Sequence, residues 1–277
     1  MANTSPYSTA MTQKCRQPNK PTMLREPFVK PHTPLLTGIV MILVSWSPAS
    51  AELIRITSPA TQATLVELYT SEGCSSCPPA DRWLSKLKEN PRLWHDLVPV
   101  AFHVDYWNYL GWNDRFSAAS FSQRQRDYAG HGLLRTVYTP GFVVNGREWR
   151  GGFTRPKLAS GSDPKAGPLE PARDGNALQV DYRPHRATTE PMTLHIARLG
   201  FDLTTEVRRG ENNGKLLNHD FVVLGHKQAS LKLNGNRFGL VAQLPDASVD
   251  APRQAVALWV TRSNDPRPLQ AAGGWIE

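Results

Sequence analysis

The sequence predicts two successive folds: an α/β domain over residues 52–155 and an all-β, sandwich-like domain over 176–277, joined by a linker over 156–175. Three observations carry this. Between Leu65 and Val104 two apolar, β-prone runs flank a helical pattern, the strand–helix–strand order that sets two strands parallel. From Ala177 onward the pattern changes to short alternating runs separated by turn residues, as in paired antiparallel sheets. Between them, TRPKLASGSDPKAGPLEPARDG is crowded with proline and glycine, which predicts at most a short helix and then a connector.

The first 51 residues read as targeting rather than fold. Leu35 to Trp46, LLTGIVMILVSW, is uncharged and mostly apolar, follows Arg25 and Lys30, and precedes Pro48 and Ala49-Ser50-Ala51. That order of basic, apolar and small residues predicts a secretory signal peptide cut after Ala51 and a periplasmic or secreted protein. The run is shorter than the about 20 residues of a comfortable membrane span, so a membrane partner enters only if the segment stays uncleaved. Met1 to Thr22 is polar and Pro-rich, and Met23 opens a leader of ordinary length, so translation is expected to start there. Cleavage removes five basic residues and one acidic one, which lowers the net charge from +8 to +4 and leaves little to attract a nucleic acid. It also removes Cys15, so the exported chain carries only Cys74 and Cys77. In an oxidising compartment that pair is expected to rest as a disulfide.

Within the α/β region, Thr64 to Tyr69 is β-prone and apolar on both faces except at Glu67, as in a buried strand. A turn holding Cys74 and Cys77 follows, then Pro78-Pro79, which suit the first turn of a helix, where their missing N–H groups cost nothing. Trp83, Leu84 and Leu87 have the spacing of one buried helical face, and Asn90-Pro91 ends the helix. Leu97 to Val104 reads as the second strand, with His103 and Asp105 at its end. The segment YWNYLGWNDRF at 106–116 reads as an ordered loop, and 117–128 as a helix with Ser117 as N-cap. In Val137 to Gly146, Thr139-Pro140 precedes a β run and Asn145-Gly146, which supplies the positive φ angles of a hairpin turn. In the all-β region the expected strands are 178–182, 192–199, 219–224, 230–235, 238–244 and 255–260. The polar loop RRGENNGK at 208–215 is that region's conspicuous surface, although loops are polar by default.

SEGCSSCPPAD, HVDYWNYLGWNDRFS, RQRDYA and VYTPGFVVNG together resemble a secreted thioredoxin-like family of unknown function, over roughly residues 65–150. The resemblance implies a thioredoxin-like fold for the first domain, with Cys74 as nucleophile, Cys77 as resolving thiol and Pro140 as a cis-proline beside them, Thr139 preceding it. It also places Glu67 near a buried acid that accepts the resolving thiol's proton.

From the residues themselves, an apolar strand feeding a Cys-x-x-Cys at a helix start suits thiol–disulfide exchange, because free N–H groups and the helix dipole stabilise a thiolate at Cys74. Cys77, about one turn along, can reach back to resolve a mixed disulfide. The expected partners are protein thiols or disulfides. Two other readings stand beside this one. The pair could be an inert disulfide in a non-catalytic binding module, although so short a loop gains little from closure. It could also bind copper or zinc with His103 added, but no second Cys pair or Met cluster supports a metal, and no cofactor motif stands out. Glu67 could be simply a buried, hydrogen-bonded acid, His103 and Asp105 a pinned strand end, and Tyr69, Trp107 and Trp112 core or rim.

Overall fold

The computed structural model describes residues 54–151, 158 and 165–276; the leader, Cys15, the cleavage point after Ala51 and most of 156–164 lie outside them. In chain order the elements are β1 (Ile54–Arg55), β2 (Thr64–Thr70), α1 (Pro78–Ser85), β3 (Leu97–His103), α2 (Ala119–Gly130), β4 (Gly141–Val144), β5 (Arg147–Glu148), β6 (Leu169–Asp174) and β7 (Ala177–Tyr182). There follow β8 (Met192–Phe201), β9 (Leu203–Glu206), β10 (Leu216–His219), β11 (Val222–Ser230), β12 (Lys232–Asn234), β13 (Arg237–Gln243), β14 (Arg253–Arg262) and β15 (Asp265–Trp275).

The local expectations for the first half hold. Strand β2 pairs in parallel with β3 from Thr64 opposite Leu97 to Thr70 opposite His103, and all seven residues of each are buried. Helix α1 begins at Pro78 directly after Cys77, and β4 and β5 form a hairpin about Asn145 (φ 47°) and Gly146 (φ 74°). The second helix starts two residues later than expected, at Ala119, because Ser117 turns its hydroxyl to the Asp114 carbonyl.

The fold class does not hold. The protein is mostly β, with two α-helices among the described residues, and it is not an α/β thioredoxin-like domain followed by a separate β-sandwich. One eight-stranded mixed sheet runs β15-β14-β8-β11-β3-β2-β4-β5 and takes strands from both halves of the chain. The seam is a short parallel contact: Val222 of β11 lies opposite Ala101 of β3, and the Ala101 N–H donates to the Phe221 carbonyl. A second, five-stranded sheet, β1-β6-β7-β13-β12, draws β6 from the stretch expected as linker.

Strand β14 shows why the halves join. Its sequence AVALWV sends Ala255, Ala257 and Trp259 into a core shared with β2, β3 and both helices, and Val256, Leu258 and Val260 into a core shared with β7 and β13. A strand apolar on both faces must be covered twice, and period-2 alternation delivers one set of side chains to each cover. Strand β15, LQAAGGW in its second half, carries too few large side chains to be conspicuous. Its small residues are required by close approach: a Cβ on Gly273 would sit 2.5 Å from the Trp94 ring.

Candidate functional site

The Cys-x-x-Cys turn projects from the C-terminal end of β2, where the parallel pair β2–β3 opens. The Cys74 N–H donates to the Ser71 carbonyl and the Cys77 N–H to the Cys74 carbonyl, and Cys77 becomes the N-cap of α1. Both cysteines are free thiols, and both are buried, Cys74 at 1% exposure and Cys77 at 0%. Neither cysteine is therefore open to solvent. The cover over Cys74 is thin, because the adjoining Ser75 and Ser76 are exposed.

The two sulfurs are chemically unequal. A hydrogen bond from Cys77, then those from Ser76 and Thr139, pull the Cys74 thiol down to about 6 against the effect of burial. The Ser76 hydroxyl lies 3.3 Å from Cys74 Sγ. Cys77 moves strongly upward, chiefly through burial, then through its bond to Cys74 and the charges of Cys74 and Asp81. Thr139, in cis peptide linkage to Pro140, favours the charged form of both sulfurs and accepts the Trp107 indole N–H at 2.7 Å.

The other expected residues are placed differently. Glu67 is fully buried and saturated: it takes Arg124 Nε at 2.7 Å and a second guanidinium N–H at 3.1 Å, with the hydroxyls of Tyr69 at 2.9 Å and Tyr128 at 2.6 Å. Four donors make it the buried, hydrogen-bonded acid, and Tyr69 serves it while stacking on Phe102. Asp105 is tied to Ser122 on α2. His103 is buried with Nδ1 at 2.7 Å from Asp114; burial alone would push its pKa down, but the Asp114 charge and hydrogen bond, with Asp81 and Glu72 beyond, lift it to about 9. Among the described residues no group of three or more His, Cys, Asp or Glu side chains is arranged to hold a metal ion.

Two features escaped sequence reasoning. The first is a strap. The loop RRGENNGK crosses the cysteine turn, where Asn212 is wholly buried and donates both amide N–H groups, to the Glu72 carbonyl at 2.8 Å and the Cys74 carbonyl at 2.9 Å. Glu211 accepts the Ser75 N–H at 2.9 Å. The second is a polar chamber behind Cys77, where the buried side chains of Glu72, Asp81, His103 and His219 converge. Burial raises the Asp81 carboxyl, against the pull of His219 and His103. Glu72 Oε1, His103 Nε2 and both ring nitrogens of His219 make no hydrogen bond, and His219 Nε2 stands 3.4 Å from Glu72 Oε1. Each such group costs about 1–3 kcal/mol if left dry, so the chamber calls for water.

A family model described as "Protein of unknown function (DUF1223)" matches residues 65–261, a span that holds the cysteine turn, the chamber and the strap. The chain belongs to the DUF1223 family. This DUF1223 chain is similar in fold to a structural-genomics crystal structure of a protein from Agrobacterium tumefaciens, at 23% identity, covering 78% of this chain and 95% of that one, with a TM-score of 0.54. HBP35 of Porphyromonas gingivalis matches at 14% identity, over 78% of the DUF1223 chain and 76% of its own, with a TM-score of 0.52. No curated protein matches. Among the described residues no helix is long and apolar enough to cross a membrane.

Proposed function

We propose that this DUF1223 protein is an exported thiol–disulfide oxidoreductase whose partners are protein thiols or disulfides in an oxidising compartment. The observation that carries the reading is the inequality of the sulfurs: Cys74 is drawn toward a thiolate by three donors while Cys77 is held protonated. Exchange needs that asymmetry, since the thiolate attacks and the protonated neighbour waits until a mixed disulfide forms. Asp81, one helical turn from Cys77 on the same face, is the acid placed to take the Cys77 proton in the second step. Because both electrons pass between sulfurs, the reaction draws on no cofactor. Export rests on the leader Leu35 to Trp46, cut after Ala51, and N-terminal sequencing of the mature chain tests it.

The burial of both sulfurs favours a second reading, a non-catalytic binding module in which the pair only holds the turn. The two part at the strap: exchange with a protein requires Glu211 and Asn212 to lift from Ser75 and Cys74, and a scaffold keeps them seated. Expression of Cys77→Ser in the exporting cell decides between them. The oxidoreductase accumulates mixed disulfides through Cys74, released by reductant, whereas an extracytoplasmic extract with no captured protein leaves the scaffold.

A further inference from the structure

A cavity of about 160 Å³ opens between Pro78 and Arg82 on α1 and Leu216 to His219 on β10, and two of its wall residues, Asp81 and His219, belong to the polar chamber. His219 is 2% exposed and neither ring nitrogen has a hydrogen-bond partner, although Glu72 Oε1 is 3.4 Å from Nε2. Its ring packs edge-on to His103 and Phe116, which fixes the plane of the imidazole. The space is large enough for several waters, and the groups lining it supply the polar partners that buried water needs.

We propose that His219 carries the proton of Cys77 between Asp81 and the water of this cavity. The proposal rests on the exchange reading and adds the proton's route to it. In the first step the Cys74 thiolate attacks a partner disulfide, a Cys74–partner S–S bond forms, and one partner thiolate leaves. In the second, Cys77 Sγ bonds to Cys74 Sγ and the second partner thiolate leaves. The Cys77 proton passes to the Asp81 carboxylate, then through His219 to cavity water, and the two released thiolates draw their protons from solvent. One protein dithiol and one partner disulfide become one protein disulfide and two partner thiols.

The geometry explains why a histidine stands here. Cys77 is wholly buried, and the cavity that Asp81 and His219 both line is the water space next to Asp81. The groups facing His219 are Glu72 at the end of β2, Asp81 and Arg82 on α1, His103 on β3 and, behind His103, Asp114; Asp220, next in sequence, turns instead to Lys88 at 2.8 Å. The acidic Glu72 and Asp81 that face the ring are set against the basic Arg82 and His103.

The test follows the full mature chain, reduced, reacting with a small aromatic disulfide that releases one coloured thiolate at each step. In His219→Asn the first release is expected to keep its native rate and the second to slow by about tenfold or more. In His219→Ala added imidazole, entering through the cavity, is expected to restore the second release. In the native protein the second release, and not the first, is expected to slow in deuterium oxide, which keeps the proposal testable should a variant misfold. An unchanged second release in His219→Asn, equal slowing of both steps, no effect of imidazole, or no deuterium effect on the second step each overturns the proton route. A native chain that gives no first release overturns the exchange reading itself.

Discussion

Ser76→Ala tests whether the turn around Cys74 tunes its acidity. The hydroxyl lies 3.3 Å from the Sγ of Cys74, a residue that is 1% exposed. A hydrogen bond to a charged group is worth about 1.5–3 kcal/mol, and about 1.4 kcal/mol corresponds to one pKa unit, so the midpoint is expected to climb from about 6 to roughly 7–8. At about pH 7 the native Cys74 is then about nine-tenths ionised and the variant between about a half and a tenth. The assay is the ultraviolet absorbance of the thiolate across pH, with alkylation rate as an independent check. Stability follows the same group. Since the folded pKa lies below that of the unfolded thiol, Cys74 contributes stability to the reduced protein that is full above the unfolded value and lost as pH falls through about 6. Ser76→Ala shortens that window from below. Cys77, raised by burial, acts only above the ordinary thiol range, where its unfolded form ionises and the folded one does not, so stability falls there. A native midpoint near the free-thiol value of about 8.5, or no movement on substitution, refutes the reasoning.

Three further outcomes are expected. Glu67→Gln leaves the Arg124 charge buried without its counter-ion, which should cost about 3–5 kcal/mol in urea unfolding while leaving the Cys74 midpoint in place; a moved midpoint with little loss of stability would return Glu67 to the chemistry. Asn212→Ala removes both donors that pin the strap, so Cys74 should alkylate severalfold faster at fixed pH, and a native rate would show that the cover lies elsewhere. Asp114→Asn removes the carboxylate that raises His103. The native His103 contributes stability that is complete below about 6.5 and lost as pH rises through about 9, so the stability gap between native and variant should narrow from about pH 6 to about pH 10 in denaturation series. A gap constant with pH would count against a charged His103–Asp114 pair.

The different settings of Glu67 and Asp81 share one cause. From the sequence, Glu67 stands out because it interrupts an apolar strand, whereas Asp81 looks like an ordinary acid in a first helical turn, favourable to the dipole. Burial sets them apart. Arg124 and Tyr128 arrive on α2 and neutralise Glu67, while Asp81 faces inward beside Cys77 and has no arginine to hold it. The loop RRGENNGK was visible as polar and glycine-bearing, but no local signal says that its Asn212 would bury itself against Cys74.

The chain by itself determined its local elements: the β2 strand, the cysteine turn passing into Pro78-Pro79, the parallel return at Leu97 and the Asn145-Gly146 hairpin, all of which follow from backbone geometry within a few residues. It also determined which residues could carry sulfur chemistry. Only the tertiary structure decided that the two halves share one sheet, because strand pairing across Val222 and Ala101 depends on which apolar faces meet, and periodicity records that a face is buried without recording what covers it. The same holds for the site. Its cover and its polar chamber draw on side chains some 140 residues apart along the chain, and the low dielectric that shifts a pKa exists only once they are packed together.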